Sequence, residues 1–124
     1  MREKDRGLAR KRLDIEMRPF RRAGMQKNPT SGLLRAVRQT LGVPVLEIAV
    51  KMGVAYSVIY DMEAGELKSS ITLRSMSRMA QAMGCKVVYG IVPEGGKTLD
   101  DLHERRLWAS VLGIDREQVL GIRD

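Results

Sequence analysis

Four glycines, Gly42, Gly53, Gly65 and Gly84, each follow a short run whose apolar residues recur every three or four positions. That punctuation limits the middle of the chain more than any other feature. A helical pattern stopped so soon, by a residue that tolerates a left-handed backbone, cannot continue as one long helix. Four short helices are expected. Ser31 caps the first, which runs to Leu41 and turns Leu34, Val37 and Leu41 inward. Pro44 fits the first turn of the second, where Val45, Ile48, Ala49 and Met52 stand at i, i+3, i+4 and i+7. The third lies in "GVAYSVIYDMEAGEL", residues 53–67, with Ala55, Val58, Ile59 and Met62 on its inner side and its stop at Gly65. Thr72 caps the fourth, with Leu73, Met76, Ala80 and Met83 as its inner line. Methionines at that spacing read as core packing, not as a cofactor site.

The flanks differ. Residues 1–28 read as a basic arm with a short amphipathic helix near residues 8–18, ended or kinked by Pro19. "RRAGMQKNPTSG" reads as linker. "CKVVYGIVP" is β-branched and apolar and predicts a strand over about residues 86–92. The arm offers no second β-rich run to pair with it. The simplest partner is the same strand of a second copy, which would put Val87, Val88, Tyr89 and Ile91 at a dimer interface; the alternative is the tail after Gly113. Thr98 starts a further helical pattern with Leu99, Leu102, Arg106 and Ala109 in register, and Asp115 starts a last short turn. The expected fold is therefore mainly α, in three parts: a basic arm (1–28), a helical body with a dimerisation strand (29–92) and a C-terminal helical extension (93–124).

Charge and composition narrow the function. The chain of 124 residues carries a net charge of +7, distributed unevenly. Residues 1–28 hold ten cations against four acids, residues 29–92 seven against four, and residues 93–124 five against seven. A basic arm and a mildly basic body suit a polyanionic partner. The one cysteine, Cys85, allows no internal disulfide and fits a cytoplasmic protein. The one histidine, His103, has no second ligand and reads as a solvent-exposed side chain, so neither a metal nor a cofactor is expected. No run is apolar enough to span a membrane. No paired carboxylates, nucleophile–base set or phosphate loop stands out, so an enzyme is not expected.

The segment "VLEIAVKMGVAYSVIYDMEAG" acts as a unit. Ala49 is small enough for a second helix to cross close to it. Gly53 makes the turn, Val54 plugs the gap, and Ile59 and Met62 clamp the second helix on the first. That is the geometry of a helix-turn-helix, whose second helix enters the DNA major groove. The segment resembles the Cro/repressor (XRE-type) helix-turn-helix family, including the ending Glu63-x-Gly65. Residues 8–113 are similar to a narrower group, the mobile mystery protein A group, through "LARKRLDIEMRPF", "GLLRAVRQTLG" and "SSITLRSMSRMAQAMGCKVVYGIVP" in that order. That resemblance implies a DNA-binding regulator, often encoded beside a Fic-domain partner in the manner of a toxin–antitoxin pair. Pro44 and Ala55 depart from the family pattern, which usually has a polar cap or hydroxyl at both places.

If residues 56–64 are the recognition helix, Tyr56, Ser57, Tyr60 and Asp61 face the bases. Tyr bonds phosphate or packs on a thymine methyl, and Asp accepts from cytosine N4. No Arg, Lys, Asn or Gln stands on that face to read G or A through two bonds. Arg35, Arg38, Lys51, Lys68, Ser69, Ser70 and Arg74 are the candidates for phosphate. The expected function is a sequence-specific regulator of duplex DNA, a homodimeric autorepressor at a palindromic site. The competing expectation is an antitoxin that masks a toxin by direct contact.

Overall fold

The glycine stops become backbone geometry in the folded chain. The computed structural model describes residues 1–113, in which α1 (Glu3–Glu16), α2 (Arg18–Ala23), α3 (Leu33–Leu41), α4 (Val45–Met52), α5 (Tyr56–Leu67), α6 (Leu73–Ala82) and α7 (Leu99–Leu112) follow one another, with a 3-10 turn at Glu94–Gly96. The chain divides into two units. One is Lys27–Val88, and the other joins Met1–Gln26 to the chain from Tyr89 onward. No helix among the described residues is long and apolar enough to cross a membrane. The expected turn at Asp115 lies outside the described residues.

Lys27–Val88 holds α3 to α6 around Leu34, Val45, Ile48, Ala49, Ile59 and Met79. Ile48, Ile59 and Met79 are wholly buried, each contributing about 1.5–3 kcal/mol of transfer free energy. Val54, Met62, Met76 and Met83 pack on this cluster. Three residues expected inside, Leu41, Ala55 and Leu73, are exposed. The inner line of α6 starts one turn later than expected and runs through Met76, Met79, Ala80 and Met83. Thr72 caps α6 by accepting from the Ser75 amide at 3.1 Å.

Two end-signals in this unit act differently from their sequence reading. Ser31 does not cap α3. The N-cap is Gly32, and the free Leu33 and Leu34 amides donate to the two carboxylate oxygens of Glu66, both at 2.8 Å. A side chain at position 32 would crowd that carboxylate, an added Cβ falling 3.1 Å from Oε1, and would strain the left-handed backbone there (φ +86°). Gly65 does not end α5, which continues to Leu67. Its carbonyl instead accepts from the Ser70 and Ile71 amides at 2.8 and 3.2 Å, as the chain folds back beside it.

In the other unit, α1 packs along α7. Several polar ties join the two helices. Asp14 caps α7 from outside, its carboxylate accepting from the Leu99 amide at 2.7 Å and the Asp100 amide at 3.3 Å. Thr98 and Asp101 complete a reciprocal capping box at the same end. Arg10 donates to Asp100 at 3.1 Å, and Glu3 lies 3.4 Å from His103, which is half-buried rather than solvent-exposed. The Glu3 carboxyl is held below its ordinary range, first by the hydrogen bond from Arg6 and then by the charges of Arg6, His103 and Arg10. Pro19 ends α1 as expected but opens α2 rather than a linker.

The expected strand at residues 86–92 is absent: the described residues contain none. Apolar, β-branched composition favours extended chain, but a strand needs a ladder partner, and none pairs with this segment among the described residues. The segment serves as an irregular connection instead. Gly90 lies directly on the Phe20 ring, so close that a Cβ there would sit 2.6 Å from Cγ. Val88 closes one unit and Tyr89 opens the other.

Candidate nucleic-acid interface

The site is built from α4, a three-residue turn and α5. Gly53 closes α4 in the left-handed region (φ +68°), where its amide and that of Val54 reach back to the Val50 and Ala49 carbonyls at 3.2 and 3.0 Å. Ala49 and Ile48 of α4 meet Ile59 of α5 in the core, and Val54 fills the corner between the helices. These contacts fix the inner side of α5. Its outer side carries Tyr56, Ser57, Tyr60 and Asp61, all exposed. Tyr56 and Tyr60 are 62% and 54% accessible and lie one turn apart, their rings edge to face with centroids 6.3 Å apart. That mutual contact holds two large side chains outward without taking them into the core.

Below this surface lies a pair that sequence reasoning missed. Glu63 is buried, and Arg38 of α3 grips it through two hydrogen bonds, Nε to Oε1 at 2.8 Å and Nη2 to Oε2 at 3.2 Å. Arg38 was expected at a phosphate; its guanidinium is instead bonded to Glu63 within the fold. A signal was present. Glu63 stands four residues after the wholly buried Ile59, and Arg38 four after buried Leu34. Charges on the inner face of two helices require each other. Glu66 makes the second tie between α5 and α3, through the two amides described above. α5 is thus held to α4 by apolar packing and to α3 by two carboxylates.

The remaining phosphate candidates fall into two groups. Arg35, Lys68, Ser69 and Arg74 are exposed, and Ser69 holds a left-handed backbone (φ +56°) in the turn after α5. Lys51 and Ser70 are exposed but already bonded within the fold, Lys51 to the Ala82 carbonyl at 3.3 Å and Ser70 to the Gly65 carbonyl at 3.4 Å. Neither α4 nor α5 has a side-chain cap, because Pro44 and Ala55 occupy the N-cap positions. The first-turn amides of both helices therefore lack a side-chain acceptor, an arrangement that favours an anionic oxygen. Of the residues expected at a dimer interface, Val87 is half-buried, and Val88, Tyr89 and Ile91 are exposed on the connection between the units.

Comparison with known proteins decides the family. A family model described as Helix-turn-helix matches residues 26–89, just over half of the chain. The chain belongs to this helix-turn-helix family, of the XRE type. No curated protein and no solved structure matches it. The match takes in α4 and α5, the two helices joined by the turn at Gly53. Membership makes the chain a DNA-binding regulator.

Proposed function

We propose that the protein represses its own operon by reading a palindromic duplex site with the outward face of α5. One observation carries this reading: α5 is locked on its inner side by Ile59, Glu63 and Glu66, while Tyr56, Ser57, Tyr60 and Asp61 stay exposed as one polar and aromatic surface. In this reading Ser57 is short enough to let the helix approach the groove floor. Tyr60 packs on a thymine methyl or bonds a phosphate, and Asp61 selects cytosine N4 or repels a misplaced phosphate. Arg35, Lys68, Ser69 and Arg74 contact the backbone. Lys51 and Ser70 join them only by giving up their bonds within the fold. Two copies with recognition helices about 34 Å apart read the two half-sites on one face of B-DNA.

The test is to sequence genomic fragments captured by the purified protein, then titrate the best fragment against salt. Enrichment of a palindrome upstream of the protein's own gene is expected. So is a log-affinity slope near −0.9 per phosphate contact, about −3 to −4 for three or four contacts per protomer. Capture without sequence preference, or binding indifferent to salt, sinks the proposal. The alternative role as an antitoxin for a Fic-domain toxin rests on the narrower family resemblance. A Fic-domain reading frame beside the gene and a stable complex of the two purified products would favour it.

A further inference from the structure

The cations of α1 and α2 divide into two sets. One set is engaged inside its own unit. Arg6 pairs with Glu3 at 2.9 Å, Arg10 with Asp100 at 3.1 Å, and Arg21 donates to the Asp14 carbonyl at 2.6 Å. The other set, Lys4, Lys11, Arg12, Arg18 and Arg22, is exposed and enters no ion pair or side-chain hydrogen bond among the described residues. The joint between the helices does not scatter this set. The Met17 amide donates to the Leu13 carbonyl at 2.8 Å and the Arg21 amide to the Met17 carbonyl at 2.9 Å, so the i, i+4 pattern runs on from α1 into α2. Lys4, Lys11 and Arg18 stand seven residues apart, two turns each, and Arg22 follows one turn later. These four form one row, with the first three roughly 10 Å apart. The two acids of α1 outside the ties above, Asp5 and Glu16, lie beyond Leu8 and Arg12, about a third of a turn round the helix from the row. Nothing in the helices themselves calls for such a row. Like charges along one side repel. Lys4 stands in the first turn of α1 and Arg18 in the first turn of α2, where the helix dipole disfavours a cation.

We propose that Lys4, Lys11, Arg18 and Arg22 form a second phosphate-binding surface, which grips the backbone of duplex DNA in addition to the contacts of the helix-turn-helix unit. The proposal rests on the chain's binding duplex DNA, and not on which bases α5 reads. The partner follows from the chain and from the row itself. The chain carries a DNA-binding helix-turn-helix, and the unit that holds it begins at Lys27, five residues after Arg22. A duplex offers a regular line of phosphates, which long cationic side chains neutralise without reading sequence. An anionic membrane fits the row less well. A helix at a membrane surface buries a broad apolar face, and Leu8 and Ile15 are the only large apolar residues of α1 and α2 that are more than half exposed. The row adds up to four contacts to the three or four of the helix-turn-helix unit, so the wild-type salt slope steepens to about −6 to −7 per protomer.

The test is a titration of the full chain against random-sequence duplexes of about 40 base pairs, between about 50 and 300 mM salt. Lys11→Gln with Arg18→Gln should make the slope of log affinity against log salt shallower by about 1.8. Adding Lys4→Gln and Arg22→Gln should bring the change to about 3.6 and weaken binding at about 100 mM salt at least tenfold. The double variant keeps the test decisive if circular dichroism shows that the fourfold one has lost its helices. Lys86→Gln with Arg106→Gln removes the same charge from exposed positions off the row, and should move the slope by less than about 0.5. Lys4→Arg with Lys11→Arg keeps the charge and should keep the slope. Selection from random duplexes should return the wild-type sequence from the fourfold variant, because phosphate contacts carry no sequence information. A failure of the α5 reading would show instead as an unchanged preference in Tyr60→Ala, and would leave these slopes as they are. The proposal is overturned by a slope change under about one in the fourfold variant, or by an equal change in Lys86→Gln/Arg106→Gln. An altered sequence preference in the fourfold variant also overturns it, by showing that the row reads bases. So does wild-type binding to vesicles with about a third anionic lipid that the fourfold variant loses while its DNA slope stands, which would assign the row to a membrane.

Discussion

Arg38→Ala removes the cation that Glu63 was buried with, and the cost follows from what is left behind. The Glu63 side chain is 6% accessible and the Arg38 side chain 12%. Both carboxylate oxygens accept from the one guanidinium, at 2.8 and 3.2 Å. Losing one partner of such a pair strands a charge in a poorly hydrated place, which costs about 3–5 kcal/mol, far more than the pair contributes relative to apolar residues of the same shape. Glu63 lies at the edge of the core rather than at its centre, so the lower end, about 3 kcal/mol, is expected. Lys27–Val88 is a unit of 62 residues, and at about 0.05–0.15 kcal/mol per residue its whole stability is roughly 3–9 kcal/mol. The substitution therefore removes a third or more of it. Hydrogen exchange read by mass spectrometry reports each unit separately, which a single melting curve does not. Core amides of α3 and α5 should exchange more than about 100-fold faster in Arg38→Ala, since 1.4 kcal/mol is a factor of ten. Amides of α1 and α7 should not change. Arg38→Met combined with Glu63→Leu should recover most of the protection, because neither charge is then buried alone. An acceleration under tenfold, or a double variant as unstable as Arg38→Ala, would refute the argument that desolvation sets the cost.

What the sequence revealed and what it hid divide along a physical line. Signals that act within one turn were legible. Gly53 ends α4 in the left-handed region, Thr72 and Thr98 accept at their helix starts, and Ile48, Ala49 and Ile59 are buried as their spacing requires. Each involves groups a few residues apart. Ties across long stretches of sequence were not legible. Arg38 meets Glu63 across 25 residues, Leu34 meets Glu66 across 32, and Asp14 meets Leu99 across 85. Periodicity assigns apolar residues to the inside and charges to the outside, so a carboxylate on an inner face is misplaced by the rule itself. That is why Arg38 was expected at a phosphate. On α7 the same rule held for Leu99, Leu102 and Ala109, which are half-buried or buried, and failed for Arg106, which is exposed. At residues 86–92 composition indicated a strand that is not there, because no local signal says whether a ladder partner exists. The contact of Gly90 with Phe20 lies 70 positions away in sequence.

Three further predictions extend these arguments. Glu66→Ala frees the Leu33 and Leu34 amides at the start of α3 and should cost about 1–2 kcal/mol, read as faster exchange in α3; an unchanged first turn would mean that water caps it as well. Gly90→Ala drives a Cβ to within 2.6–2.8 Å of Phe20, an overpacking that should cost about 1–3 kcal/mol. Selective exchange in α2 would show it, and unaltered protection there would mean the connection moves aside freely. The last concerns base reading. Tyr60 and Ser57 share the exposed side of α5 and take no part in its packing, so Tyr60→Ala and Ser57→Arg should leave the fold intact. If that side enters the major groove, Tyr60→Ala removes an apolar or phosphate contact and Ser57→Arg adds a guanidinium suited to guanine O6 and N7. Selection from random duplexes should then return different preferred sequences for each variant, with about 1–3 kcal/mol of discrimination changed at the affected base pair. The salt slope should be unaltered in Tyr60→Ala if its contact is to a base, and shallower by about one contact if it is to a phosphate. Variants that select the wild-type sequence with wild-type affinity would show that α5 presents some other side to DNA.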